Sequence, residues 1–168
     1  IKITKKDKVL CAKYRKGHFE GVLDVMGRLT NLVNPKKIFM GKKDYQQYFL
    51  IKNYLKNKYK TSIIPCKTIR NKSKIALSSR NNHLDLNGIK KASFLSKSLI
   101  KLKRNLANSK KIKQNLKIQM KYFEKFLKIK IEYLELRSIK NLKISNTVRG
   151  SRLFVAYYID NVRLIDNF

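Results

Sequence analysis

Lys37-Ile38-Phe39-Met40, then Gly41, then a helical pattern from Asp44 to Asn57, then Ser62-Ile63-Ile64-Pro65-Cys66 is the stretch that most restricts the fold. A strand, a helix of several turns and a second strand close naturally as one parallel βαβ crossover, because parallel neighbours need a connection of that length. This predicts a Rossmann-like sheet, in which a ligand sits at the carboxyl ends of the strands. Gly41 to Asp44 lies at one such end and the loop after Cys66 at the next. Asp44 is placed to cap the helix, and Tyr45, Tyr48, Phe49, Ile51 and Leu55 form its apolar stripe.

Upstream, Val9 to Ala12 reads as the end of a strand and Arg15-Lys16-Gly17-His18 as a loop. A helix is expected from about Phe19 to Val33, with Phe19, Val22, Val25, Met26, Leu29, Leu32 and Val33 at helical spacing. Asn34-Pro35 ends it, since proline disfavours the helical conformation in the residue before it. Residues 67–82 are polar and irregular. Two lysine-rich amphipathic helices follow, about Leu86 to Leu106 and Lys110 to Leu127, and Asn105 to Asn115 between them approaches a low-complexity linker. Ile131 to Ile139 alternates as a strand. Arg152 to Ile159 and Val162 to Ile165 form a hairpin across Asp160-Asn161, a pair that tolerates left-handed backbone. The reading is therefore α/β: residues 1–69 as the second part of a Rossmann-like nucleotide-binding domain, and 70–168 as a small α+β domain with helices on an antiparallel sheet.

Charge points elsewhere. A formal net charge of +31 over 168 residues suggests nucleic acid as a partner. Yet 32 lysines accompany only nine arginines, whereas readers of phosphate and guanine favour the guanidinium fork. Heavy isoleucine and asparagine use beside the lysine is what an AT-rich coding sequence imposes. A lysine-rich nucleic-acid- or ribosome-binding protein stays as the alternative, with nucleic acid the weaker reading. Cys11 and Cys66 have no metal or redox spacing and read as two small buried apolar residues. No metal-ligand cluster, membrane span or signal peptide is expected, which points to a reducing, cytoplasmic setting. The chain opens on Ile1 within lysine-rich sequence and reads as the later part of a longer protein.

Three short segments carry chemistry. In Gly41-Lys42-Lys43-Asp44 the glycine lets backbone approach a ligand and the helix start offers N–H groups to an anion. Lys43 can put a point charge on a phosphate and Asp44 can accept from ribose hydroxyls, although such strings also serve as plain turns and caps. Leu77-Ser78-Ser79-Arg80 sets two hydroxyls beside a guanidinium, suited to clamping phosphate oxygens through charge-assisted hydrogen bonds. Arg15 could bind a carboxylate or phosphate, with His18 orienting it or starting the next helix. Gln46 and Gln47 add amides on the first helical turn, where Gln47 divides between capping and substrate binding.

Taken in order, these segments resemble the pantothenate synthetase (pantoate–β-alanine ligase) family. The resemblance runs through Tyr14-Arg15-Lys16-Gly17-His18-Phe19-Glu20-Gly21-Val22, Gly41-Lys42-Lys43-Asp44-Tyr45-Gln46-Gln47, Thr68-Ile69-Arg70 and Ala76-Leu77-Ser78-Ser79-Arg80-Asn81. It continues through Tyr133-Leu134-Glu135-Leu136-Arg137 and Arg163-Leu164-Ile165-Asp166-Asn167. It covers the latter three-fifths of that family's sequence.

The resemblance implies that pantoate and ATP form pantoyl adenylate, which β-alanine converts to pantothenate. It implies ATP contacts from Gly41, Lys42, Lys43, Asp44, Ile69, Leu77, Ser78, Ser79 and Arg80, with Lys43, Ser78, Ser79 and Arg80 also acting in catalysis. Gln47 and Arg15 would bind pantoate, Mg2+ would accompany ATP, and the full-length protein would be a homodimer. A different adenylyl transferase of the same superfamily is a further reading. Departures from the family are Lys42 in place of glutamate, Lys16 in place of proline, and Ser73-Lys74 in place of an Asp-Gly pair, the last expected to stiffen the closing loop. The family's histidine-x-glycine-histidine motif does not occur in these residues, so the 168 residues alone are expected not to make pantothenate.

Overall fold

The computed structural model describes every residue except Asn57, and divides into two compact units, Ile1–Thr68 and Ile69–Phe168. In the first unit, β1 (Lys37–Gly41) and β2 (Ser62–Cys66) pair in parallel, from Lys37 opposite Ser62 to Gly41 opposite Cys66. Helix α3 (Tyr45–Lys56) makes the crossover between them. The expected extension of this helix to Asn57 lies outside the described residues. Asp44 does not cap the helix as expected. A 3-10 turn, Lys42–Asp44, leads straight into α3, so Asp44 has no extended cap position to occupy.

Other expectations change for physical reasons. Val9 to Ala12 is no strand: Cys11–Tyr14 forms the short helix α1 after Leu10 adopts a positive φ of 49°. Helix α2 (His18–Val33) starts after Gly17, whose φ of 77° suits a residue without Cβ. The helix closes on Asn34 in the left-handed region, φ 47°, with its N–H bonded to the Thr30 carbonyl. An asparagine side chain tolerates that conformation. The buried line of α2 is Phe19, Leu23, Gly27 and Thr30, while Val25, Leu29, Leu32 and Val33 are exposed. Only one of the helix's apolar faces meets α3. The two helices approach closely at Gly27, where a Cβ would come within 3.2 Å of the Tyr54 hydroxyl. β1 is not a buried strand, because in a two-stranded sheet Phe39 stays exposed. Cys11 is buried but Cys66, at the end of β2, is exposed.

The second unit is three antiparallel strands, β3 (Lys130–Ser138), β4 (Ser151–Ile159) and β5 (Val162–Asn167), in the order β3-β4-β5. Helices α4 (Leu86–Asn105) and α5 (Ile112–Leu127) share a core with them, centred on Leu95, Leu99, Phe123, Leu136, Leu153 and Val155. Asp85 caps α4, its carboxylate accepting from the Gly88 N–H at 2.6 Å. The stretch from Asn105 to Asn115 is not a loose linker: Leu106 and Ile112 are buried in the core, which orders the connection. The β4–β5 hairpin turns at Asp160, φ 49°, as the Asp-Asn pair requires.

Across the face of the sheet the Arg163 guanidinium donates to Glu132 at 2.6 Å, and the Tyr158 hydroxyl donates to the same carboxylate at 2.8 Å. Burial by itself would raise the Glu132 carboxyl, but these hydrogen bonds and the Arg163 charge outweigh it and hold the group below the ordinary carboxylate range. A carboxylate depressed in the folded state stabilises above its unfolded value of about 4.3 and loses that contribution as pH falls through the folded value. Glu132→Gln should therefore lower stability at pH 7 by about 1.5–3 kcal/mol, the range for hydrogen bonds to a charged group. The gap to the unmodified protein should narrow steadily below pH 4, read from urea midpoints along a pH series.

Candidate functional site

Parallel pairing brings the ends of β1 and β2 level, Gly41 beside Cys66, so the turn at Lys42–Asp44 and the start of α3 stand at the carboxyl edge of the sheet. Here Lys43 Nζ lies 3.7 Å from Asp44 Oδ1, and the Lys43 side chain is largely covered while that of Asp44 is half open. A partly covered ammonium beside a helix start suits an anion, and a half-open carboxylate suits a hydroxyl.

The adjoining amides divide their work. Gln46 is buried, and its Nε2 donates to the carbonyls of Val9 at 2.7 Å and Asp7 at 3.2 Å, tying α3 to the segment before α1. Gln47, next to it, is half-buried. Nothing in the spacing separates two adjacent glutamines, since only the direction in which α3 packs decides which one turns inward. Arg15 Nη1 donates to His18 Nε2 at 2.7 Å. His18 is also the first residue of α2, so it both meets Arg15 and starts the helix.

In the second unit the segment from Ile69 to Arg80 folds back on itself through an antiparallel bridge between Arg70 and Ala76. Its side chains alternate between anchors and open groups. Arg70 donates to Asp166 Oδ2 at 2.6 Å and Oδ1 at 2.8 Å, and its guanidinium lies 4.5 Å from the centre of the Phe168 ring. Ile75 and Ala76 are buried, and Asn81 donates to the Ala76 carbonyl. Ile69 and Leu77, by contrast, are 64% and 55% exposed. The Leu77 N–H donates to the Ile69 carbonyl, which holds these two open apolar side chains close in the chain.

Ser78 Oγ accepts from the Arg80 N–H at 3.3 Å and opens the 3-10 turn Ser79–His83. Ser79 is exposed. Arg80 is exposed too, and its Nη1 donates to the Arg163 carbonyl at the start of β5. The anchors Arg70, Asp166 and Glu132 were not singled out as functional. They set the loop and hairpin on which Ile69, Leu77 and Arg80 stand.

Lys74 adopts a positive φ of 68°, so the Ser73-Lys74 pair falls at a position that takes left-handed backbone. A lysine there bears about 1–2 kcal/mol of strain.

An αβ unit with one parallel crossover is followed by an α+β unit that carries a loop of hydroxyls and an arginine, and proteins of one enzyme family share this order. The pantoate-beta-alanine ligase family matches residues 1–168. The chain belongs to that family. It is 37% identical over 174 residues to the pantothenate synthetase of Leptospira interrogans, covering 99% of this chain and 60% of that protein. It is 42% identical over 163 residues to the bifunctional pantoate ligase/cytidylate kinase of Prochlorococcus marinus, covering 94% of this chain and 31% of that protein. The crystal structure of pantothenate synthetase from Thermus thermophilus superposes with a TM-score of 0.84 at 27% identity, over 100% of this chain and 62% of that one. That of pantoate-beta-alanine ligase from Francisella tularensis, complexed with beta-gamma ATP and beta-alanine, superposes at 0.76 with 32% identity, over 100% and 56%. The chain thus spans about three-fifths of the length of its single-function curated relatives. The nucleic-acid-binding alternative suggested by charge finds no support in these proteins. Among the described residues no helix is long and apolar enough to cross a membrane.

Two outcomes test these roles. Gln46→Ala removes two buried donors and should cost about 1–3 kcal/mol of stability, while Gln47→Ala should stay within about 0.5 kcal/mol; urea unfolding of the two variants checks it. Lys74→Gly should raise stability by roughly 0.5–1 kcal/mol, strain relief less the entropy glycine adds to the unfolded chain. Thermal unfolding measures it, and a lower midpoint would contradict the strain argument.

Proposed function

We propose that the protein to which this chain belongs condenses pantoate with β-alanine at the expense of ATP. The observation that carries the reading is the Gly41-Lys42-Lys43-Asp44 string at the carboxyl edge of a parallel crossover, in a chain matched by the ligase family from end to end. The Francisella tularensis pantoate-beta-alanine ligase is complexed with beta-gamma ATP and beta-alanine, which supports the choice of substrates.

In the first step the pantoate carboxylate attacks the α-phosphorus of ATP, forming an acyl–oxygen–phosphorus link as the bond to pyrophosphate breaks. In the second the β-alanine amine attacks the acyl carbon, AMP leaves, and the amine loses a proton to give the amide. Both steps concentrate negative charge on phosphate oxygens, so fixed cations and donors matter more in the transition state than in the ground state.

In this reading Lys43 and Arg80 supply the cations, and Ser78 and Ser79 donate to phosphate oxygens. Gly41 and Lys42 line the nucleotide, Asp44 accepts from the ribose, and Ile69 and Leu77 cover apolar parts of the ligand. Gln47 and Arg15 hold pantoate, with His18 fixing the Arg15 head. Mg2+ would travel with the nucleotide, holding phosphate oxygens and water and needing few protein ligands. The reading places the whole protein in the cytoplasm as a homodimer.

Lys43→Ala and Arg80→Ala should each slow single-turnover formation of pantoyl adenylate by about 100-fold or more, while changing pantoate affinity little. The measurement uses this chain joined to the part of the Leptospira interrogans relative that it does not span. Near-unchanged rates in both variants would overturn the assignment of these segments to the phosphates.

A further inference from the structure

The outer surface of α4 and α5 carries an aromatic ridge apart from the residues assigned to the substrates. Phe94 of α4 and Ile118, Tyr122 and Phe126 of α5 are 38%, 55%, 48% and 58% exposed. The ridge bridges the two helices: the Phe94 and Phe126 rings lie 5.2 Å apart, and Tyr122 stacks on Phe126 at 5.5 Å with 9° between planes. Ile118, Tyr122 and Phe126 recur every four residues, a span of about 12 Å along the helix. Beyond Ile118 the surface falls into a cavity of about 300 Å³ lined by Leu102, Asn105, Leu106, Asn115, Ile118 and Gln119. Ridge and cavity together form an apolar track along the seam between α4 and α5.

Its surroundings are strongly one-signed. Residues 86–128 hold thirteen lysines and arginines and a single carboxylate, Glu124. Glu124 turns away from the track, accepting from the Ile131 N–H. Lys90, Lys97, Lys121 and Lys125 are exposed beside the ring-bearing turns. Contiguous exposed apolar groups rimmed by charge mark an interaction surface.

We propose that this track docks an acidic amphipathic helix of a partner protein. The seam between two helices takes a rod whose apolar residues repeat every three to four positions. The lysine rim supplies the complementary field that orients such a rod and speeds its arrival. A second copy of this chain is the wrong occupant, since +31 would face +31. The positive rim also suits single-stranded nucleic acid, but bases stack on open ring faces, and Tyr122 and Phe126 each lose one face to the other. A bilayer would favour a convex apolar face, whereas the track sinks into a cavity at the Leu102 end.

The probe is a fluorescein-labelled 18-residue peptide of Glu, Ala and Leu, with leucines at one helical face, titrated with the intact chain at about 150 mM salt. Micromolar binding by fluorescence anisotropy is expected. Phe126→Ser and Tyr122→Ser should each weaken it about tenfold or more, as central aromatic anchors do. Both rings are exposed, so far-UV circular dichroism of the variants should be unchanged. A paired Lys121→Glu, Lys125→Glu variant gives a second, fold-independent readout by reducing the salt dependence. Equal binding of a same-charge peptide with serine for leucine would overturn the proposal. So would a lack of peptide binding, with phosphatidylserine vesicles or a 20-nucleotide single strand retained through Phe126 and Tyr122 instead.

Discussion

The first unit depends on one constraint, the parallel register of Lys37–Gly41 against Ser62–Cys66. Strands running the same way cannot be joined by a tight turn, so the chain must return along α3 before pairing again. Gly41 and Cys66 finish level, and α3 has to begin within a few residues of Gly41. That requirement places Lys43 and Asp44 on the 3-10 turn at the helix start. The buried Gln46 then secures this end of the helix, its amide held by the Val9 and Asp7 carbonyls. A positive side chain at a helix start is electrostatically uncomfortable without an anion. Asp44 answers that need, its Oδ1 lying 3.7 Å from the Lys43 ammonium.

In the second unit, rigidity and exposure are assigned to alternate residues of one loop. Arg70, Ile75, Ala76 and Asn81 hold the segment by a bidentate ion pair, by burial and by a hydrogen bond. Ile69, Leu77, Ser79 and Arg80 are left open between them. Such an arrangement suits groups that must meet a ligand with little loss of conformational freedom on binding. The Arg70–Asp166 pair also joins this loop to the end of β5, and Arg80 bonds the backbone where β5 begins. The hairpin is thus the frame of the loop as well as part of the sheet. Burial, with the nearby Asp166 carboxylate, pushes the Tyr157 hydroxyl far above the ordinary phenol range, so this neighbour of the pair stays neutral.

β3, the helices α4 and α5 and the β4–β5 hairpin were legible because each rests on local patterning: alternation in β3, apolar spacing in α4 and α5, and Asp160-Asn161 at a left-handed turn. The Gly41-Lys42-Lys43-Asp44 string was legible as a strand end and turn, and Leu77-Ser78-Ser79-Arg80 as part of a polar loop. What periodicity missed was choice of face. Helix α2 carries two apolar lines and only Phe19, Leu23, Gly27 and Thr30 became interior, because α3 meets the helix there, with Tyr54 against Gly27. Cys66 and Phe39 came out exposed for the related reason that two strands cover little of each other's faces.

The sequence by itself determined the elements of the crossover, the hairpin, the two basic helices and the residue types that suit a nucleotide, since each element follows from the patterning of neighbours along the chain. Only the tertiary structure decided which of Gln46 and Gln47 turns inward. It alone joined Arg70 to Asp166 and Arg163 to Glu132, and gathered Phe94 with Tyr122 and Phe126. Those outcomes join residues far apart in the chain. Their energies come from desolvation and contact geometry that exist only once the elements have packed.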